Sequence, residues 1–266
     1  MVSVYKRIYA LYWGIGLILA ISEGFFSYYF PDYAIFGLFV LIALVFLEGF
    51  LFIRLSNRIF AKEVMSKFLT CHVHEYMDLL DKRLGKKKRR DLKSTYNYLK
   101  GMGYSALDDY DSLYECAQQV THLSHQSEYY KRLIDYYIYK DMFIEAQDLM
   151  IKLAELNAKV KSKVYKDSID VSLKLFDCRI KVKTGNYAGV EECYTQMLSS
   201  HETAVLSLIS KVSISYALGE LLVKKGEKER AKEHLKFASE KGGDTKYKIF
   251  ADRLLSEIEE EAVPFA

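Results

Sequence analysis

Apolar positions are distributed in two ways along the 266 residues of the chain. Two unbroken apolar runs open it, Ile8 to Tyr29 and Ala34 to Ile53, separated by the turn Phe30-Pro31-Asp32-Tyr33. Each run holds about twenty residues, the length of one helical crossing of a ~30 Å hydrocarbon core. Past them the apolar residues fall into a helical rhythm. Ile59, Val64, Phe68, Leu69, Val73, Tyr76, Met77, Leu80 and Leu84 keep the spacing that lays one stripe along a helix. Thereafter a long amphipathic helix, a short polar turn and a second helix recur. The turns are Lys140-Asp141-Met142-Phe143-Ile144-Glu145-Ala146, Thr184-Gly185-Asn186-Tyr187-Ala188-Gly189-Val190 and Lys225-Gly226-Glu227-Lys228-Glu229-Arg230-Ala231, at intervals of about 41 to 44 residues. The only prolines are Pro31 and Pro264, so no proline breaks a helix between them. The pattern predicts an all-α chain. It has a transmembrane helical hairpin over 1–55, a juxtamembrane helix and basic segment over 56–88, and a helical-repeat domain over 89–266 ending in a capping helix.

Charge orients the hairpin. Lys6 and Arg7 precede the first run, Arg54, Arg58, Lys62 and Lys67 follow the second, and the turn carries only Asp32. The positive-inside rule puts both ends in the cytoplasm and the turn outside. Tyr5, Tyr9, Tyr12 and Trp13 at one end, and Tyr28, Tyr29 and Tyr33 at the other, resemble aromatic belts at headgroup depth. Ala20 and Ser22 loosely mimic a signal-peptide cleavage site, but the apolar run continues through Phe25, Phe26 and Tyr28. Each run contains one glutamate, Glu23 and Glu48. An intramembrane carboxylate costs at least ~2.5 kcal/mol on insertion. Both glutamates are therefore candidate contacts to a membrane partner or to another copy of the chain, or else they lie near the interface and reach water. Gly14, Gly16, Ala20, Gly24 and Ser27 give the first helix small residues for close packing.

Composition narrows the chemistry. A net charge of +3 is no signature of nucleic-acid binding. Cys71, Cys116, Cys178 and Cys193 are scattered without a CxxC pair, which fits a reducing compartment. After Gly85, the run Lys86-Lys87-Lys88-Arg89-Arg90, with Lys82, Arg83 and Lys93, makes a dense basic cluster. Beside a membrane it is a candidate contact for anionic headgroups, and it reads equally as a solvated turn and helix start. His74-Glu75-Tyr76-Met77-Asp78 falls one residue short of a zinc-binding HExxH, with Asp in place of the second His. His122, His125 and Glu128 share a spacing but lack a third ligand.

The last repeat carries a family pattern. Gly219, Leu222, Gly226, Ala231, Leu235 and Ala238 fall at the small and large positions of a tetratricopeptide repeat, which this unit resembles. Leu133, Tyr137, Phe143, Ala146 and Met150 echo it. The unit around Gly185, Tyr187 and Tyr194 departs from it at Lys181 and Val190, and a further unit over 90–123 would turn at Gly101-Met102-Gly103. The repeats are longer than the family's usual thirty-four residues, so the chain is tetratricopeptide-like. The resemblance implies an α-solenoid of antiparallel helix pairs with a concave groove that binds protein segments. First helices would line that groove, making Tyr130, Tyr137, Lys174, Lys181, Lys211 and Ser215 candidate groove residues. Tyr129, Tyr130, Tyr136, Tyr137 and Tyr139 crowd one helix and cannot all share a face. The final segment, Asp244 to Glu261, would cap the array with Phe250, Leu254, Leu255 and Ile258 inward.

No phosphate-cradling glycine loop, nucleophile elbow or metal-ligand spacing appears, so no enzyme, cofactor or metal is expected. The expected function is a membrane-anchored, cytoplasm-facing scaffold or adaptor. Its repeats would hold protein partners, its residues 8–53 the lipid bilayer, in a bacterial cell membrane. The alternatives are an accessory subunit of a membrane transport or secretion complex that docks through its hairpin, and a lipid-regulated sensor that uses the basic cluster.

Overall fold

Helix is the sole regular structure in the computed structural model of the chain, which describes residues 2–29, 34–86, 89–121, 125–199 and 207–261. Side chains of 2–12, 23, 26–27, 34–37, 48 and 261 lie outside that description. The chain divides into two compact units, Met1–Met65 and Ser66–Ala266.

The first unit contains α1 (Val2–Tyr29) and α2 (Ala34–Phe60), which pack against each other. The expected turn Phe30–Tyr33 is outside the described residues. One π-helical turn, Ala61–Met65, carries α2 onward to α3 (Ser66–Leu69). Among the described residues one helical stretch is long and apolar enough to cross a membrane, Leu38–Leu69. None of its most apolar stretch is buried within the chain. The apolar stretch described in α1, Trp13–Ser22, is shorter than a span.

The second unit continues with α4 (Val73–Leu84), α5 (Arg90–Ala106), α6 (Tyr110–Gln118), α7 (Gln126–Tyr139), α8 (Phe143–Ala158), α9 (Lys163–Lys183), α10 (Val190–Ser199), α11 (Leu208–Lys224), α12 (Lys228–Lys241) and α13 (Lys246–Glu261). From α4 onward each helix packs on the next, and α5 with α7, α7 with α9, and α11 with α13 also touch.

One device recurs at the turns. A residue in the left-handed region ends a helix, and the amide after it donates to a carbonyl five residues back. The donors are His72 to Lys67 (2.8 Å), Asp109 to Tyr104 (3.0 Å), Met142 to Tyr137 (2.9 Å), Asn186 to Lys181 (2.9 Å) and Glu227 to Leu222 (2.8 Å). The left-handed residues are Cys71, Asp108, Asp141, Gly185 and Gly226. Three of these turns fall where the polar pattern placed them. The expected turn at Gly101-Met102-Gly103 does not form, because α5 runs through it. Gly103 answers to packing instead. A Cβ there would lie 2.3 Å from Met77 Sδ, so the glycine leaves room for the Met77 side chain where α4 meets α5. The turn stands at Leu107–Asp109, with Asp109 accepting from the Ser112 amide at 3.1 Å as the N-cap of α6.

The helix pairs bury one another's apolar faces. Ile134 and Ile138 of α7, Ala146 and Leu153 of α8, and Ile169, Phe176 and Ile180 of α9 form one such core. Ala146, Ala231 and Ala238 are fully buried where helices approach closely. On α13, Ala251 and Ile258 are buried, whereas Glu257, Glu259 and Glu260 face water.

The two ends of the second unit also meet. Asp244, in the turn before α13, accepts from the Val73 amide at 2.6 Å and the His74 amide at 2.9 Å. It thereby caps α4 across 171 residues of sequence, where the positive end of the helix dipole favours a carboxylate. The Asp244 amide donates back to the Cys71 carbonyl at 3.2 Å. Gly243 has φ +57, and a Cβ there would stand 2.3 Å from that same carbonyl oxygen, so the clasp requires glycine. Contacts between α3 and α11 complete the closure.

Candidate functional site

The second unit holds a half-open chamber of about 470 Å³. Residues from α3, α5, α7, α9, α11 and α13 line it, joined by Asp108, by Tyr110 at the start of α6 and by Tyr194 of α10. None of the lining comes from α4, α8 or α12. Most of the lining comes from α5, α7, α9, α11 and α13, with single residues from α3, α6 and α10.

A cluster of charges converges on one carboxylate in this chamber. Asp135, on α7, is only 7% exposed. It accepts from Ser105 Oγ at 3.3 Å and pairs with Arg132 at 3.4 Å and with Arg179 of α9. Burial works against its ionised form, but Arg179 and then Arg132 outweigh it, aided by Lys246, and hold the carboxyl below the usual carboxylate range. Burial likewise opposes the charge on Arg179, and Asp135 more than restores it. Arg179 reaches Tyr110 as well. Burial pushes the Tyr110 phenol up to about 12.

Lys246, at the first position of α13, brings the last helix to the same place. Its Nζ donates to Tyr110 Oη at 2.7 Å, lies 3.5 Å from Asp108 and sits 4.5 Å from the centre of the Tyr110 ring. A cation over an aromatic face gains from the ring quadrupole, more so when desolvated. Tyr110 in turn stacks on Tyr139, with centroids 3.9 Å apart and planes 10° from parallel. Aromatic groups line the α11 and α13 side too: Tyr216 meets Tyr247 and Phe250, each at 5.9 Å. The chamber thus joins fixed cations to aromatic walls, a surface suited to recognising an anion with an apolar body.

The six residues expected in a groove are elsewhere. Tyr130 and Tyr137 pack against the α7–α8–α9 core, and Tyr130 accepts from Gln126 at 3.0 Å. Lys174 is exposed and Lys181 pairs with Asp177 at 2.8 Å on the same helix. Lys211 is half-buried and Ser215 buried, neither in the chamber wall. None of the six lines the chamber, and helical phase accounts for that. On α9 the wall positions include 172, 176 and 179, and residues two positions away from these, such as 174 and 181, point to roughly the opposite side. The sequence reading missed Arg132, Asp135, Arg179 and Lys246. One signal was available: Arg132, Asp135 and Tyr139 are spaced on one helical face, with charges where a soluble helix would bury apolar residues.

The remaining candidates do not assemble into a site. Glu23 and Glu48 are helical, and their side chains lie outside the described residues. Lys86, Arg89 and Arg90 are exposed, with Arg89 paired to Asp91 at 2.8 Å and Arg90 Nε 3.4 Å from Thr121 Oγ1. Lys87 and Lys88 are outside the described residues, as is His122. His125 Nε2 is 2.9 Å from Thr95 Oγ1. Among the described residues no three His, Cys, Asp or Glu side chains are grouped to hold a metal. No protein-family model matches the chain, and no curated protein or solved structure matches it either.

Proposed function

We propose that the chain is a membrane-anchored scaffold or adaptor. A two-helix hairpin formed by α1 and α2 holds it in the bilayer, and its tetratricopeptide-like second unit, an α-solenoid, engages protein partners in the cytoplasm. The observation that carries this reading is the pairing of an unburied apolar helix, Leu38–Leu69, with an array of helix pairs whose turns reuse one capping geometry. Apolar side chains along a span are stable only in lipid or against a partner. Cationic flanks at Lys6, Arg7, Arg54 and Arg58 favour both ends inside. Stacked helix pairs bury a continuous core and offer extended surfaces for binding. On the outward helix α8, Ile144 is 74% exposed and Ile151 59% exposed, seven residues apart and so on one face. Aliphatic side chains aligned in this way favour a protein contact there.

Co-purification from membranes of cells producing the full chain tests the reading. The scaffold predicts that partners are lost with Ile144→Glu plus Ile151→Glu and kept with Glu23→Leu plus Glu48→Leu. The opposite result would replace it with docking through the hairpin, the behaviour of an accessory subunit of a membrane complex.

A further inference from the structure

Tetratricopeptide-like arrays suggest an open trough for a protein segment, but here the clasp changes the inner surface. Asp244 and Lys246 tie the last helix to the start of α4 and to the α5–α6 turn, beside a half-open chamber lined mostly by α5, α7, α9, α11 and α13. Its volume of about 470 Å³ lies in the range of pockets for small molecules.

The charges in and around the chamber do not cancel. Lys131 pairs with Glu128, Lys183 with Asp141, and Glu220 with Lys224. Arg132, Arg179 and Lys246 are left to share Asp135 and Asp108, which leaves one positive charge in excess. Arg132 also lies 3.9 Å from Glu128, already paired with Lys131, so the balance stands. In addition, Arg132 Nε is buried with no hydrogen-bond acceptor among the described residues. A buried donor without an acceptor is costly, and an anion within reach would relieve it. Apolar and aromatic groups share the wall, among them Phe176, Ile214 and Phe250.

From the unbalanced cations, the unpartnered guanidinium nitrogen and the aromatic wall, we infer that the chamber binds a small organic monoanion. Its carboxylate or comparable head lies at Arg179, Arg132 and Lys246, and its apolar body lies against Phe176 and Phe250. This site is separate from the outward protein-binding surface and does not depend on it. Ligand occupancy bridges α7, α9 and α13, the helices that supply the three cations, so it reinforces the closure of the unit.

The test uses the full chain in nanodiscs of neutral lipid, with empty nanodiscs subtracted, and 4-phenylbutyrate and its uncharged counterpart 4-phenylbutanol as probes. Calorimetry is expected to show saturable binding of the acid, about tenfold or more tighter than the alcohol. Arg179→Met is expected to erase that preference. Ser213→Trp, which fills the chamber from α11, is expected to abolish binding of both probes while circular dichroism keeps its helical signal. Should Arg179→Met fail to fold, the acid-to-alcohol ratio of the native chain and the Ser213→Trp variant still decide. The proposal is overturned by equal affinity for acid and alcohol, by undiminished binding in folded Ser213→Trp, or by no saturable binding of either probe.

Discussion

The described residues of the two units, before and after Ser66, are mostly helical in both, yet they dispose of their side chains in opposite ways. In the first region large apolar groups stand open: Phe46 is 75% exposed, and Phe39, Ile18 and Phe25 are similar. In the second, Leu222, Leu235 and Ile134 are sealed, and even charged groups are taken inside, with Asp135 and Lys246 each 7% exposed. Under the proposed anchoring, the difference follows from what surrounds each helix. Backbone hydrogen bonds are satisfied within any helix, so secondary structure is the same in water and in hydrocarbon. Side chains carry the distinction. An aqueous unit must bury its apolar stripe and can afford interior charge only where partners compensate it, as Arg132 and Arg179 do for Asp135.

The largest test of this contrast is a pair of truncations. Leu222→Ala removes a fully buried side chain and should destabilise the second unit by about 2–5 kcal/mol, seen as a lower melting temperature. Phe46→Ala should leave that melting transition in place, because its ring is 75% exposed and buries no core surface. Equal effects of the two would erase the distinction between the regions.

Next comes the buried carboxylate. Asp135→Asn leaves Arg179 and Arg132 without their counter-charge, and breaking a buried pair costs about 3–5 kcal/mol. The pH dependence has a definite sign. The folded Asp135 carboxyl titrates below its unfolded value, so its contribution is complete above the unfolded pKa of about 3.9 and is lost as pH falls through the folded pKa. Acid titration of native and Asp135→Asn chains should therefore show a shallower loss of stability below about pH 4 in the variant. An identical acid limb would show that the aspartate does not hold its charge inside.

The clasp is worth less. Asp244→Ala strips the cap from α4 and should cost about 1–2 kcal/mol, with faster amide exchange at Val73 and His74. Unchanged exchange at those two amides would mean that the ends of the unit do not meet in solution. The smallest effect is local. Gly226→Ala places a side chain at φ +81 and should destabilise by about 1 kcal/mol, without altering the chamber.

Much of the fold could be read from the sequence because it is local. The two apolar runs, the helical rhythm and the turns at Lys140, Thr184 and Lys225 each follow from residues within one turn or one helix. The turns at Cys71 and Asp108 have no glycine to mark them; the turn at Asp141, equally without one, was legible only through the spacing at which the polar turns recur. Gly103 misled for the converse reason: glycine also serves close packing, and only the approach of Met77 tells the two uses apart. The chamber was less legible. Which face of α7, α9 and α11 turns toward it depends on neighbours beyond the helix itself. The clasp joins residues 171 positions apart, and no periodicity announces such a pairing.

Labelling with a membrane-impermeant maleimide tests the account most directly. It uses a Cys193→Ser background, in which Cys71, Cys116 and Cys178 are buried. Two positions are compared in cells producing the full chain, Asp32→Cys between the two apolar runs and Ser256→Cys on α13. A tethered unit inside the cell predicts labelling of Asp32→Cys in intact cells and of Ser256→Cys only after the membrane is opened. Labelling of Ser256→Cys in intact cells, or protection of both positions until lysis, would contradict it.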